Sequence, residues 1–321
     1  MAMGSFEEPQ AADLSEQAAA SSRPSLGGEL WKVQAAQSVS MIADVSLVWI
    51  FLWWLFNHKK DSGTSANVDD ALLAIWPLSA GWLVYALALP LCGLLADRFS
   101  RKKLAAVGCA SRALVHLFVG LCLWQKRFDI AWAPALHAIS MLGGALFDSA
   151  SLSLVPAIVP PSKKERGVSY ALVLPRAGFF LSGIVCLFLI LILDIAKMAL
   201  CGALFCAIAA LLCARIAGPT LADRSAPFTG WLAALLDGPL TIVRAPRLLG
   251  LLFITGLINF LIYPLYSVTP ALGKSGLSTR TELPANIEVC LVLGVLIGVW
   301  ATPRLCEKQR LRPEQVVMLS F

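Results

Sequence analysis

Eight apolar runs of about 20 residues or more dominate this chain, at roughly 32–56, 71–95, 104–124, 131–157, 168–193, 196–214, 247–270 and 284–302. An α-helix rises about 1.5 Å per residue, so such a run spans the roughly 30 Å hydrocarbon core of a bilayer. Barrel strands would be about ten residues long, and within lipid a single helix already satisfies its own backbone groups. The runs therefore predict an all-α membrane bundle of about eight transmembrane helices. A ninth begins at Val316-Val-Met-Leu-Ser-Phe321. Composition agrees: 58% of residues are hydrophobic and 14% charged, with a mean hydropathy of +0.75, whereas a soluble domain carries about 25% charged residues. Residues 1–30 hold Glu7, Glu8, Asp13, Glu16 and Glu29 without an apolar period and read as a disordered cytosolic tail. The first run is too long, and too acidic on its N-terminal flank, for a cleaved signal peptide.

Orientation follows from the connections. The loops after the second, fourth, sixth and eighth runs each hold three or four Lys and Arg, and those after the odd runs one or two. By the positive-inside rule the even loops and the N-terminus face the cytoplasm, which implies a multi-pass protein of the cell membrane. The net charge of +6 is then a topology signal and calls for no nucleic acid. Nine cysteines are scattered without a CxxC pair or a Cys/His cluster, so reduced thiols are expected and no metal or cofactor. Trp31, Trp53, Trp54, Trp76, Trp124 and Trp132 fall near run ends, as interfacial anchors do.

The second and third runs are joined by Gly93-Leu-Leu-Ala-Asp-Arg-Phe-Ser-Arg-Lys-Lys103. A generic turn would need the cations only for topology; the Gly-to-Asp spacing asks for more. Gly93, Asp97, Arg98, Arg101 and Lys102 match, position by position, the loop between helices 2 and 3 in the major facilitator superfamily. The chain resembles that family over about 31–302. Within it, Gln37-Ser-Val-Ser-Met-Ile-Ala-Asp44, Val155-Pro-Ala-Ile-Val-Pro-Pro161 and Leu236-Asp-Gly-Pro-Leu-Thr-Ile-Val-Arg-Ala-Pro-Arg247 are similar to the drug:proton antiporter branch of macrolide and siderophore exporters. Ala43 stands where that branch has Gly, and the branch's helix 5 motif is replaced by Arg176-Ala-Gly-Phe-Phe-Leu-Ser-Gly183. The resemblance implies a helical bundle of two six-helix halves, each built from two three-helix units of opposite orientation. It places a first half at 31–214 and a cytosolic linker with an interfacial helix at 215–246. Residues 247–321 would be a partial second half, with helices 7, 8 and the start of 9. A weaker copy of the loop, Gly298–Arg310, follows the eighth run. In the family the loop is a gating latch: Gly93 permits close helix approach, Asp97 caps a helix of the second half, and Arg101 pairs with an acid on a neighbouring helix.

Polar groups inside the runs are the other candidates, because a membrane-buried charge costs about 2.5–3.5 kcal/mol even on insertion scales. Gln37, Ser40 and Asp44 share a face of the first run, and His137, Ser140, Gly144, Asp148 and Ser151 one of the fourth. The third run offers Arg112 and His116, the fifth Arg176, and the seventh Gly256, Asn259, Tyr263 and Tyr266. Plain packing would account for such groups as well. The resemblance, in which helices 1, 4 and 7 line a central cavity, makes Gln37, Asp44, Arg112, His137, Asp148, Arg176, Asn259 and Tyr263 candidates for binding substrate or protons. Asp44 is the preferred carboxylate; Asp148 is either a cavity acid or the partner of Arg101. Gly178, Gly183, Gly294 and Gly298 read as packing notches. No Walker A loop, HExxH or GxSxG pattern is present, so an enzyme is not expected. The reading is a secondary active transporter working by alternating access, exporting a small amphipathic or hydrophobic compound and coupled to protons. Its partners would be that small molecule, the lipid bilayer and protons. The alternatives are transport of a lysophospholipid or similar lipid, and a non-transporting membrane receptor or scaffold.

Overall fold

The structure is a computed structural model that describes residues 26–61, 68–159 and 164–217, with short helical pieces between 240 and 257. Six long helices make up the described body: α1 (Leu26–Asp61), α2 (Val68–Arg98), α3 (Arg101–Trp124), α4 (Ala133–Ile158), α5 (Lys164–Ile192) and α6 (Ile195–Ala214). They coincide with the first six apolar runs. Five segments are long and apolar enough to cross a membrane: Gly27–Trp54, Leu78–Arg98, Arg101–Trp124, Ile130–Ile158 and Ile195–Ala214. The helix α5 contributes the shorter apolar stretch Leu181–Ile190. The expected seventh and eighth helices, the interfacial helix, the ninth start and the loop copy at 298–310 lie outside the described residues, apart from those pieces. So do residues 1–25 of the tail. Residues 26–30, expected in that tail, form the first turn of α1.

Local chemistry sets the helix ends. Pro134 stands in the first turn of α4, where its missing N–H is no loss. The end of α3 is closed by Lys126 with φ of 56°. Its N–H reaches Leu123 O at 3.0 Å, and that of Arg127 reaches Cys122 O at 2.9 Å, the paired bonds of a left-handed C-cap. Asp194 caps α6 by accepting the backbone N–H of Lys197 at 3.0 Å. That bond holds the Asp194 carboxyl below its ordinary pKa. A folded pKa below the unfolded one means that the cap contributes fully at neutral pH. The contribution is lost as pH falls from the ordinary carboxylate value through the depressed one. Asp194→Ala is expected to cost about 1 kcal/mol at neutral pH. Asp194→Asn should keep the cap and flatten the acid limb of stability, as thermal unfolding against pH would show.

Apart from α3 and α4, sequence neighbours barely touch in this bundle. Instead α3 packs against α6 and α4, α2 against α4, and α1 against α6 and α5. Exchanging α1 with α4, α2 with α5 and α3 with α6 maps this set of pairings onto itself. The outward face carries large apolar residues, among them Leu83, Leu87, Leu91 and Leu95 of α2, and Leu114, Phe118 and Leu121 of α3. Trp31, Trp53, Trp124 and Trp132 are exposed near helix ends. The interior mixes large side chains such as Phe147, Leu47 and Ile50 with small residues, and the small ones let helices approach closely where lipid supplies no hydrophobic drive. A Cβ on Gly108 of α3 would lie 2.5 Å from Gly143 O and 2.9 Å from Phe147 N of α4. At Gly120 it would meet Leu200 Cδ2 of α6 at 2.8 Å. Gly178 sits against Ser38 of α1 at an ordinary 3.4 Å, and Gly183 is buried. Seven of the cysteines, all within the described helices, are free thiols.

Candidate functional site

Arg112 and Asp44 form an ion pair across the α1–α3 contact. Arg112 is 1% exposed, and the side chain of Asp44 is 19% exposed. The guanidinium also donates from Nη1 to Ser40 Oγ and from Nη2 to Ser40 O, both at 3.2 Å. Such a cluster is what makes a buried charge tolerable: an opposite charge plus hydrogen bonds from both terminal nitrogens of the guanidinium. One turn along α3, His116 is fully buried with Nδ1 2.9 Å from Arg112 O and Nε2 2.8 Å from Ala43 O. A neutral ring can donate to only one of these carbonyls. The ring fits because Gly202 of α6 faces it; a Cβ there would collide with the imidazole.

The polar stripe of α4 is divided between two neighbours. Asp148 accepts a hydrogen bond from Tyr85 Oη of α2 at 2.7 Å, and Trp82 packs edge-on against Tyr85 with ring centroids 5.6 Å apart. Ser151 donates to Asp148 O at 3.1 Å and accepts from Gln37 Nε2 at 3.3 Å, so Gln37 ties the α1 cluster to the α4 stripe. His137 is buried higher on α4. It lies against Gly81 of α2, where a Cβ would overlap the ring, and edge-on to Phe51 of α1 at 6.4 Å.

The basic loop binds helix ends. Arg101 donates from Nη1 to Ser153 O at 3.0 Å and from Nε to Ala96 O at 3.4 Å. Lys102 reaches Ile216 O at 3.4 Å, while Lys32 reaches Arg215 O at 3.2 Å and Glu29 Oε1 at 2.7 Å. Glu29 accepts the N–H of Ala217 at 2.7 Å. Cations thus gather at the C-terminal ends of α4 and α6, where the helix dipoles favour them. The expected Arg101–Asp148 pair is not formed. Asp148 lies ten residues before the end of α4, about 15 Å along the axis, whereas Ser153 is within reach of the start of α3. Asp97 is exposed, Arg98 half-buried, and a Cβ on Gly93 would meet nothing within 4 Å. No close helix approach is made at Gly93 among the described residues.

The described residues therefore bring together Gln37, Asp44 and Arg112 in one network and join it to Asp148 through Ser151. The side chain of Arg176, and Asn259 and Tyr263, lie outside the described residues. Sequence reasoning missed Tyr85 and Gln34. A tyrosine three residues after Trp82 in an apolar run was the available signal for the first, since a buried hydroxyl needs a partner. For the second, a glutamine three residues before Gln37 extends the same helical face.

The chain matches the family profile of the Major Facilitator Superfamily over residues 36–321. It is 22% identical over 279 residues to macrolide efflux protein A of Streptococcus pyogenes, covering 84% of this chain and 65% of that protein. The same identity and coverage hold for macrolide efflux protein A of Streptococcus pyogenes serotype M6. The chain thus spans about two thirds of the length of these curated relatives.

Proposed function

Because this chain belongs to the major facilitator superfamily, a family of transporters, we propose that it serves secondary active transport by alternating access, exporting a small amphipathic or hydrophobic compound in exchange for protons. It is a multi-pass integral membrane protein. The N-terminus and the Gly93–Lys103 loop face the cytoplasm, by the Lys/Arg bias of the loops. Residues 31–214 form the first half, 215–246 the linker and 247–321 part of the second half. The similarity to macrolide efflux protein A supports a drug-like substrate.

The observation that carries the proton coupling is the Asp44–Arg112 pair. A carboxylate within a membrane helix is costly and usually functional. This one keeps part of its surface accessible while its cation is sealed. Protonating Asp44 would release Arg112 to its bonds with Ser40, loosening the tie between α1 and α3. The test is pH-driven accumulation of a macrolide in inverted membrane vesicles, with lysophosphatidylcholine as a parallel substrate. Asp44→Asn is expected to abolish macrolide accumulation driven by a pH gradient, with uptake normalised to the amount of folded protein in the membrane because the variant leaves Arg112 unpaired. Unchanged accumulation would remove Asp44 from the coupling step, and movement of the lysolipid alone would overturn the drug-like substrate.

A further inference from the structure

The polar face of α1 carries more buried hydrogen-bonding capacity than its neighbours satisfy. Gln34 is 3% exposed, and neither its amide nitrogen nor its oxygen has a partner among the described residues. One turn on, Gln37 is 5% exposed; its nitrogen reaches Ser151, while its Oε1 has no partner among the described residues. At the end of the track, Asp44 Oδ1 and Arg112 Nε are likewise buried without partners among the described residues. Each such atom costs about 1–3 kcal/mol if left dry, and native interiors carry few of them. Four on one stretch of α1, with Arg112 Nε of α3 at its end, call for a common solution. Buried polar groups of this kind are usually satisfied by ordered water, each molecule making about three hydrogen bonds.

The positions are collinear. Gln34, Gln37, Ser40 and Asp44 follow one another at three- and four-residue steps on one face of α1, a track of about 15 Å. Its outer end lies in the first turns of α1, the part of the helix that also carries Glu29 and Lys32 and meets the end of α6. Its inner end is the one carboxylate that the proposed transport cycle needs to load. Glutamine suits the lining of such a track. Its amide both donates and accepts, so it can orient water, and it takes no charge of its own at any working pH.

We infer that this face of α1 holds a file of ordered water molecules, running from the Glu29–Lys32 end of the helix to Asp44, and that the file is the route by which Asp44 exchanges its proton. The route rests on the proposed role of Asp44; the water file does not. Gln34 and Gln37 are positioning residues that hold the water, and they do not themselves titrate.

Two measurements on the protein in lipid nanodiscs test this. The first is a structure at a resolution that shows water. Density is expected at hydrogen-bonding distance, about 2.7–3.2 Å, from the amides of Gln34 and Gln37 and from Asp44 Oδ1. Finding these atoms bonded to each other or to other side chains, with no water between them, overturns the file. The second follows the carboxyl band of Asp44, assigned by its loss in Asp44→Asn, by infrared spectroscopy after a pH jump. Gln34→Leu with Gln37→Leu should slow its protonation about tenfold, a barrier increase of about 1.4 kcal/mol, and leave the final amplitude unchanged. Leucine keeps the helix and leaves the Asp44–Arg112 pair in place, while removing the Gln37–Ser151 bond; thermal unfolding of the variant checks that it stays folded. An unchanged rate overturns the route. A band in the parent chain that never responds to pH sinks the role of Asp44 and the route with it, whereas the water density still decides the file.

Discussion

Replacing Arg112 with leucine is expected to remove most of the folded protein from the membrane, and adding Asp44→Asn to restore much of it. Arg112 is almost completely buried, and among the described residues its charge is balanced by the carboxylate of Asp44. Deleting one member of such a pair leaves the other charged and unpaired in an apolar interior, at a cost of about 3–5 kcal/mol. That is a large share of the stability of a typical domain. Deleting both charges can be nearly neutral, because two desolvation penalties vanish with the attraction. The double variant therefore separates charge balance from simple loss of packing. Thermal unfolding of the purified single and double variants in detergent measures the coupling. If Arg112→Leu alone were as stable as the parent, or if the double variant were no better than the single, the pair would not hold α1 to α3.

Gly108→Ala is expected to have the second large effect, and Gly143→Ala to resemble it. A methyl group on Gly108 would approach Gly143 O to 2.5 Å and Phe147 N to 2.9 Å; one on Gly143 would approach Gly108 O to 2.8 Å and Arg112 Cγ to 3.0 Å. Three of these atoms are in the backbone of the facing helix and cannot turn aside. The helices α3 and α4 must part, and overpacking of this sort costs about 1–3 kcal/mol or more. Arg112 lies on the same contact, so the displacement should propagate to the ion pair. Gly93→Ala is the control. It meets nothing within 4 Å and exchanges a poor helix former for the best one, a gain of about 1 kcal/mol. Thermal unfolding should order the variants as Gly93→Ala at or above the parent and Gly108→Ala well below it. The reverse order would mean that the α3–α4 crossing is not fixed by its glycines.

The spans and the family were legible because hydrophobic length and the Gly93–Lys103 spacing are local properties. The polar face of α1 was legible for the same reason: Gln37, Ser40 and Asp44 reveal themselves by helical period. What period cannot reveal is which helix faces the stripe. Arg112 lies on α3, two helices away in sequence, and was grouped with His116 as a separate pair; only the packing joined it to Asp44. The same limit misdirected Arg101. Spacing allowed a bond to Asp148, but the axial offset along α4 gives Arg101 a carbonyl near the helix end and leaves Asp148 to Tyr85. Gly108 and Gly143 passed unnoticed because glycine is common in membrane helices, and only a facing backbone makes one indispensable.

The interleaved pairing of the helices also sets an order of assembly. During synthesis α1 and α2 enter the membrane first, yet the helices they pack against are α4, α5 and α6. Until these arrive, α2 has no lasting neighbour, and α1 is held to the growing chain chiefly through Asp44 once Arg112 has entered. The ion pair then acts before the protein is complete, as a temporary clasp that keeps the first helix from drifting in the lipid. Its replacement should be felt in the yield of inserted protein before it is felt in any transport cycle.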